Sequence, residues 1–150
     1  MKVVIQRVSK ADVTIDNKQV ASIHDGFLVL LGIINEDSQE DINWLSKKII
    51  NLRVFGDENG VMNKSLVDVD GDVILVSQFT LHANTRKGNR PSFIKAARPE
   101  TAIPLYEAFI QQVEEATGTP CARGEFGADM QIALVNDGPV TIIVDSKLRE

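Results

Sequence analysis

The chain is poor in the side chains that staple small folds or hold metals. Cys121 is its one cysteine, and His24 and His82 are its only histidines among 150 residues. An internal disulfide is excluded, and a closed Cys/His zinc site cannot be assembled from one such chain. Aromatic residues make up 5%, too few for a surface that holds single-stranded nucleic acid by stacking successive bases. No apolar run approaches the roughly 20 residues of a membrane-spanning helix. The opening Met1-Lys2-Val3-Val4-Ile5-Gln6-Arg7 lacks a signal peptide's long apolar stretch and small-residue cleavage site, so the expected location is the cytoplasm. Phosphate-binding GxxxxGK[ST], dinucleotide-binding GxGxxG, the GxSxG elbow and HExxH are also missing, which removes the commonest nucleotide, acyl-transfer and zinc-protease machines.

The remaining composition, 43% hydrophobic and 25% charged with 10 Gly and 5 Pro, is that of a folded globular chain. Its length predicts one domain over residues 1–150, large enough to bury a continuous core. The net charge of −5 argues against non-specific coating of nucleic acid. The charge is nevertheless segregated. Between Asn84 and Arg98 lie Arg86, Lys87, Arg90, Lys95 and Arg98 and no acid, which leaves the rest of the chain at −10. This stretch reads either as a solvated basic loop or as a phosphate-capturing site, the latter because Lys87-Gly88-Asn89 lets the backbone approach a ligand closely. Glu36, Asp37, Glu40 and Asp41 precede an apolar-periodic run and suit the positive end of a helix.

Val3 to Val8 alternates as a strand, and Ala11 to Ile15 continues it up to the turn residues Asp16-Asn17. Phe27 to Ile34 and Val73 to Val76 are short unbroken apolar runs, as expected of strands buried on both faces at the centre of a sheet. Between them, Ser38 with Asp41 three residues on opens a helix with apolar Ile42, Leu45, Ile49 and Leu52. A second helix follows Pro99, with a stripe of Leu105, Phe109, Val113 and Ala116 widened by Tyr106 and Ile110, and ends at Gly118. Asp70-Gly71 predicts a tight hairpin turn. The tail predicts another hairpin, Gln131–Val135 and Val140–Val144 around Asn136-Asp137-Gly138-Pro139. Strands and helices do not alternate as a doubly wound sheet requires. The fold expected is α+β: a curved, mainly antiparallel, barrel-like sheet with two main helices packed on it.

Few residues offer chemistry. Asp68-Val69-Asp70-Gly71-Asp72 resembles the start of a calcium loop, but its glycine is misplaced and Phe79 stands where the loop's glutamate belongs; no metal is expected. A thiolate dyad of Cys121 with His82 or His24 competes with an inert, buried cysteine. Ser77 and Thr80 in Ser77-Gln78-Phe79-Thr80 close a buried strand, where hydroxyls either reach a pocket or satisfy backbone groups. Gly138-Pro139 reads as a plain turn, or as a rigid segment with free carbonyls, since proline donates no ladder hydrogen bond and X–Pro is the routine place for a cis peptide.

Taken together, VVIQRVSKADVTI, VSQFTLHANTRKGNRPSF, FGADM and VNDGPVT make the chain similar to the D-aminoacyl-tRNA deacylase family from Met1 to about Asp145. The combination of Ser77-Gln78-Phe79-Thr80 with Asn136-Asp137-Gly138-Pro139-Val140-Thr141 is the specific part. The resemblance implies a homodimer that hydrolyses the ester between a D-amino acid, or glycine mischarged on tRNA-Ala, and the terminal adenosine of tRNA, without metal or cofactor. It implies catalysis around Ser77, Gln78, Phe79 and Thr80. It also implies a cis Gly138-Pro139 peptide that reaches into the partner's pocket as a chirality filter. By the same resemblance Phe126 and Met130 hold the terminal adenine, against a rival reading of Phe126 as core. Arg86, Lys87 and Arg90 would receive acceptor-stem phosphates. Arg7 is braced against the Gly-Pro carbonyls or is an exposed strand arginine. Neither a membrane nor DNA is an expected partner. Two other classes compete: a cofactor-free RNA-binding module, which the acidic charge and few aromatics disfavour, and a structural oligomer. Within the enzyme reading, Thr80 as covalent nucleophile is the alternative to catalysis by positioning with help from the substrate's 2′-hydroxyl.

Overall fold

The computed structural model describes residues 1–149. Strand β1 (Lys2–Ile15) buries Val3, Ile5, Val8, Ala11 and Val13, so its inward face slips by one residue on each side of Val8, where its pairing with the last strand is irregular. β2 (Lys18–Ile23) and β3 (Gly26–Gly32) follow. One edge of β1 pairs with β3 along Lys2–Val8 and with β2 along Ala11–Ile15, while the last strand of the chain runs antiparallel along the other edge. Helix α1 (Gln39–Asn51), the short antiparallel pair β4 (Phe55–Gly56) and β5 (Met62–Lys64), and a tight turn lead to β6 (Asp72–Ser77). β6 lies parallel to β3, as a crossover of this length allows. After helix α2 (Pro99–Thr117), β7 (Ala122–Arg123) adds a second parallel pairing on β6, and β8 (Gln131–Asp145) completes the sheet. The sheet is thus mixed, with antiparallel pairing confined to β1 and its neighbours; β2 comes round towards β6 and β7, so it is nearly closed into a barrel.

The two apolar runs are buried on both faces because they face two separate cores. Phe27, Val29, Leu31, Val73 and Leu75 pack under the helices against Ile42, Leu45, Ile49, Tyr106 and Phe109. Their alternating neighbours Leu28, Ile74 and Val76 fill the barrel with Val8, Ala11, Val13 and Ile23. Each fully buried side chain of this size contributes about 1.5–3 kcal/mol of transfer free energy.

Three expectations are corrected. Asp70 adopts a left-handed conformation (φ 52), but the turn closes on itself through Gly71 N–H to the Leu66 carbonyl and feeds a strand parallel to β3, so no hairpin forms there. The tail is one strand, β8, paired with β1 on both sides of Asn136–Pro139 rather than folded on itself. In α2 the buried stripe is Ala102, Tyr106, Phe109, Ile110 and Val113; Leu105 is half-buried and Ala116 exposed. Gly118 takes the left-handed cap conformation (φ 72) that ends the helix. No helix among the described residues is long and apolar enough to cross a membrane.

Ion pairs tie the start of α1 to the edge of the sheet where the beginning of β1 lies beside the end of β8. The Met1 ammonium is buried against the Asp37 carboxylate and donates to Ser146 Oγ at 3.0 Å. Asp41 accepts from the Ser38 N–H at 2.9 Å, Ser146 Oγ at 2.6 Å and Lys147 Nζ at 2.8 Å. Burial opposes ionisation of Asp41, but these hydrogen bonds outweigh it and hold the carboxyl well below the usual carboxylate range. Its folded-state pKa therefore lies below the unfolded value of about 4. The stability it adds is present above that pH and is lost as pH falls towards the folded-state value. Asp41→Ala is expected to lower the free energy of urea unfolding at neutral pH by about 1–3 kcal/mol, and to remove part of the acid-induced loss below about pH 4; unchanged stability at neutral pH contradicts this.

Candidate active site

β3 and β6 end side by side, with Leu31 opposite Ser77. Beyond that point the chain of β6 turns sharply: the Gln78 N–H is held by the Leu31 carbonyl at 2.8 Å, and Phe79–His82 forms a single 3₁₀ turn. The turn lies close on Gly32. A Cβ there would stand 3.0 Å from Leu81 Cβ and 3.1 Å from both the Gln78 carbonyl oxygen and His82 Cδ2. Gly32 is needed for close approach, as its backbone is not in a left-handed conformation.

Between this turn, the start of α2 and the segment before β8 lies a cleft of about 280 Å³. Ser77, Gln78 and Phe79 line one side and Phe126, Met130 and Ile132 another. Not one lining residue carries an ionisable side chain. Thr80 lies next to it, exposed on the turn, and its hydroxyl accepts a hydrogen bond from the Gln78 amide at 2.6 Å. At the opening of a 3₁₀ turn the Phe79 and Thr80 N–H groups have no acceptor within the turn. Phe126 is half-buried, with its ring edge-on to Tyr106 at 5.9 Å between centroids; it packs on the core and lines the cleft at once. Met130 sits where Gly124 leaves room, since a Cβ on Gly124 would fall 2.3 Å from its sulfur. Phe79, 55% exposed, meets Phe93 edge-on at 5.0 Å.

Neither Cys121 nor His82 lines this cleft. Burial pushes the Cys121 thiol up to about 12, so it remains protonated. Burial also lowers the pKa of His82, on the far side of the turn in a neighbouring concavity that includes Arg86. Arg86, Lys87 and Arg90 are exposed, and none of them forms an ion pair among the described residues.

Gly138 and Pro139 occupy a second cleft, of about 470 Å³, with Arg7, Phe55, Met62 and Val140. The two clefts share no residue, so the structure does not bring Gly138-Pro139 onto Ser77–Thr80 of the same chain. The loop is a bulge: Gln6 pairs with Thr141 and Val8 with Asn136, which leaves Asp137 to Val140 opposite Arg7 alone. The Gly138–Pro139 peptide is cis. A side chain on Gly138 (φ 145) would meet Val140 Cγ2 at 2.7 Å and Arg7 Nη2 at 3.2 Å. Arg7 is not an exposed strand arginine. It lies under the bulge, with Nε donating to the Asp137 carbonyl at 2.8 Å and Nη1 to the Val54 carbonyl, so it braces the residue before Gly138 rather than the Gly-Pro carbonyls. Gly32 and Gly124 were not visible as site positions in the sequence, since a glycine in a strand or loop carries no mark of the side chain it makes room for.

A family model described as D-Tyr-tRNA(Tyr) deacylase matches residues 4–145. The D-aminoacyl-tRNA deacylase of Flavobacterium psychrophilum is 63% identical over 150 residues, and that of Bacteroides fragilis 59% over 150 residues, each over the whole of both chains. Among solved structures, one named "c-Myc DNA Unwinding Element Binding Protein" superposes with a TM-score of 0.91 at 42% identity, covering 97% of this chain and 98% of that one. Another, of a probable eukaryotic D-amino acid tRNA deacylase, shares the fold at a TM-score of 0.82 and 17% identity, covering 95% and 97%. With a model match over nearly the full length and relatives this similar, the chain belongs to the D-Tyr-tRNA(Tyr) deacylase family.

Proposed function

We propose that this chain hydrolyses the ester joining a D-amino acid, or glycine mischarged on tRNA-Ala, to the terminal adenosine of tRNA, acting as a cytoplasmic, single-domain, cofactor-free homodimer. The observation that carries the reading, beside the family, is a cleft of substrate size without an ionisable side chain. An aminoacyl ester is already activated by its α-ammonium group and the vicinal ribose hydroxyl. What it needs is fixed geometry and donors aimed at the developing oxyanion. The Gln78 amide and the Phe79 and Thr80 N–H groups serve as those donors, and the substrate's 2′-hydroxyl helps to activate water. Phe126 and Met130 hold the adenine, at roughly 1–3 kcal/mol for a stacked base, and Arg86, Lys87 and Arg90 take acceptor-stem phosphates.

Gly138 and Pro139 then act in the partner's cleft. An enzyme that accepts many side chains must test the substituents at Cα that all substrates share. A backbone wall there rejects the L arrangement by collision and lets the D side chain point away. Glycine, lacking Cβ, passes. That the two clefts of one chain share no lining residue supports the cross-subunit arrangement, because the loop is not part of its own chain's cleft.

The test is release of amino acid from D-Tyr-tRNA, with L-Tyr-tRNA as control, after metal chelation. Hydrolysis of the D ester at least about 100-fold faster is expected; equal hydrolysis of both, or of neither, overturns the reading. Thr80→Ala separates the two mechanisms, since no base lines the cleft to activate the hydroxyl. Near-normal turnover is expected, and complete loss with tRNA binding intact makes Thr80 the nucleophile. Gly32→Ala is expected to push the 3₁₀ turn outwards by a few tenths of an ångström and to cut kcat about tenfold or more, with cooperative unfolding retained; unchanged kcat shows that the placement of the turn is not critical.

A further inference from the structure

The bulge opposite Arg7 has a neck, and one side chain closes it. Asn136 Oδ1 accepts from the Val140 N–H at 2.9 Å, and Asn136 Nδ2 donates to Thr141 Oγ1 at 3.0 Å. Gln6 Nε2 reaches the same hydroxyl at 3.4 Å from β1. The amide orientation follows from the partners, because the Val140 N–H requires an acceptor and only the amide oxygen supplies one. Asn136 therefore replaces, with its side chain, the ladder hydrogen bond that a bulged residue loses. It also joins the two ends of a segment whose three central residues, Asp137, Gly138 and Pro139, are exposed.

We infer that Asn136 is a positioning residue for handedness: by pinning the neck of the bulge while Arg7 holds its floor, it sets where the Gly138 and Pro139 backbone stands, and with it the discrimination between D and L esters. The inference rests on the proposed role of Gly138-Pro139. D and L esters differ by an exchange of substituents at one carbon, so a wall that yields by about 1 Å no longer tells them apart. Four residues opposite one have no ladder of their own to resist that displacement. Arg7 fixes only the Asp137 end; the Val140 end depends on Asn136. An asparagine suits the place because it accepts and donates from one short planar group. An aspartate retains both links, since the Thr141 hydroxyl can turn to donate.

The test compares full-length wild type with Asn136→Ala, Asn136→Asp and Thr141→Val, measuring kcat/KM on D-Tyr-tRNA and L-Tyr-tRNA together with urea unfolding. For Asn136→Ala the D/L ratio is expected to fall about tenfold or more, mainly through faster L hydrolysis, while Asn136→Asp stays within about threefold of wild type. A merely structural role lowers both rates together and leaves the ratio unchanged, which overturns the inference, as does an Asn136→Asp variant no better than Asn136→Ala. Should Asn136→Ala not unfold cooperatively, Thr141→Val decides, since it removes one link and keeps the side-chain shape: a several-fold lower ratio supports the clamp and an unchanged ratio overturns it. Gly138→Ala tells the inference from its premise. If it also leaves the ratio unchanged, the role of Gly138-Pro139 fails; if it alone changes the ratio, only the role of Asn136 fails.

Discussion

The pairing of β8 with β1 slips by three residues at Arg7, and the rest of the site depends on that slip. Were the two strands in register throughout, Gly138 and Pro139 would be ladder residues, one of them unable to donate a hydrogen bond. Instead four residues are set opposite one and project from the sheet, with a guanidinium beneath them and an amide across their neck. The same slip appears in β1 as a change of inward face between Ile5 and Val8. A second irregularity follows Val8, and across the two the strand passes from the core under the helices, with Val3 and Ile5, to the barrel interior, with Val8, Ala11 and Val13.

The cleft beyond β6 works on the opposite principle. Its character comes from what is left out of its lining: no charge, no imidazole, no thiol. In the proposed reaction that absence is consistent with a substrate which brings its own ammonium and hydroxyl, so that the protein supplies orientation and N–H donors. Gly32 sets how near the donors lie to β3, and Gly124 how near Met130 lies to the cleft. The first is a contact between segments far apart in sequence, the second one within the loop before β8.

Much of the fold was legible because local pattern and burial agree. The two apolar runs became β3 and β6, Ser38 with Asp41 marked the start of α1, and Gly118 marked the end of α2. The two expected hairpins that did not form share one cause. Asp70-Gly71 and Asn136–Pro139 carry turn chemistry, and turns do form there, but whether a turn joins two paired strands depends on which distant strand captures each flank. β3 captures the residues after Gly71, and β1 captures both sides of the Gly-Pro bulge. The site motifs were legible only through resemblance to a family. Composition and spacing alone left Ser77–Thr80 as strand-end hydroxyls and Gly138-Pro139 as a turn. The lining of two separate clefts, and the brace on Asp137 rather than on the Gly-Pro carbonyls, required the structure.

The central claim is that a working site is made by two copies of the chain, one giving the cleft and the other the loop. Its most direct test is complementation between two inactive chains, one damaged only at Gln78 and the other only at Gly138-Pro139. Random pairing makes half of the dimers mixed, each with one wholly intact site, so the account predicts recovery of about one quarter of wild-type D-Tyr-tRNA hydrolysis on mixing after dissociation and reassociation. Activity no greater than the sum of the two damaged chains contradicts it.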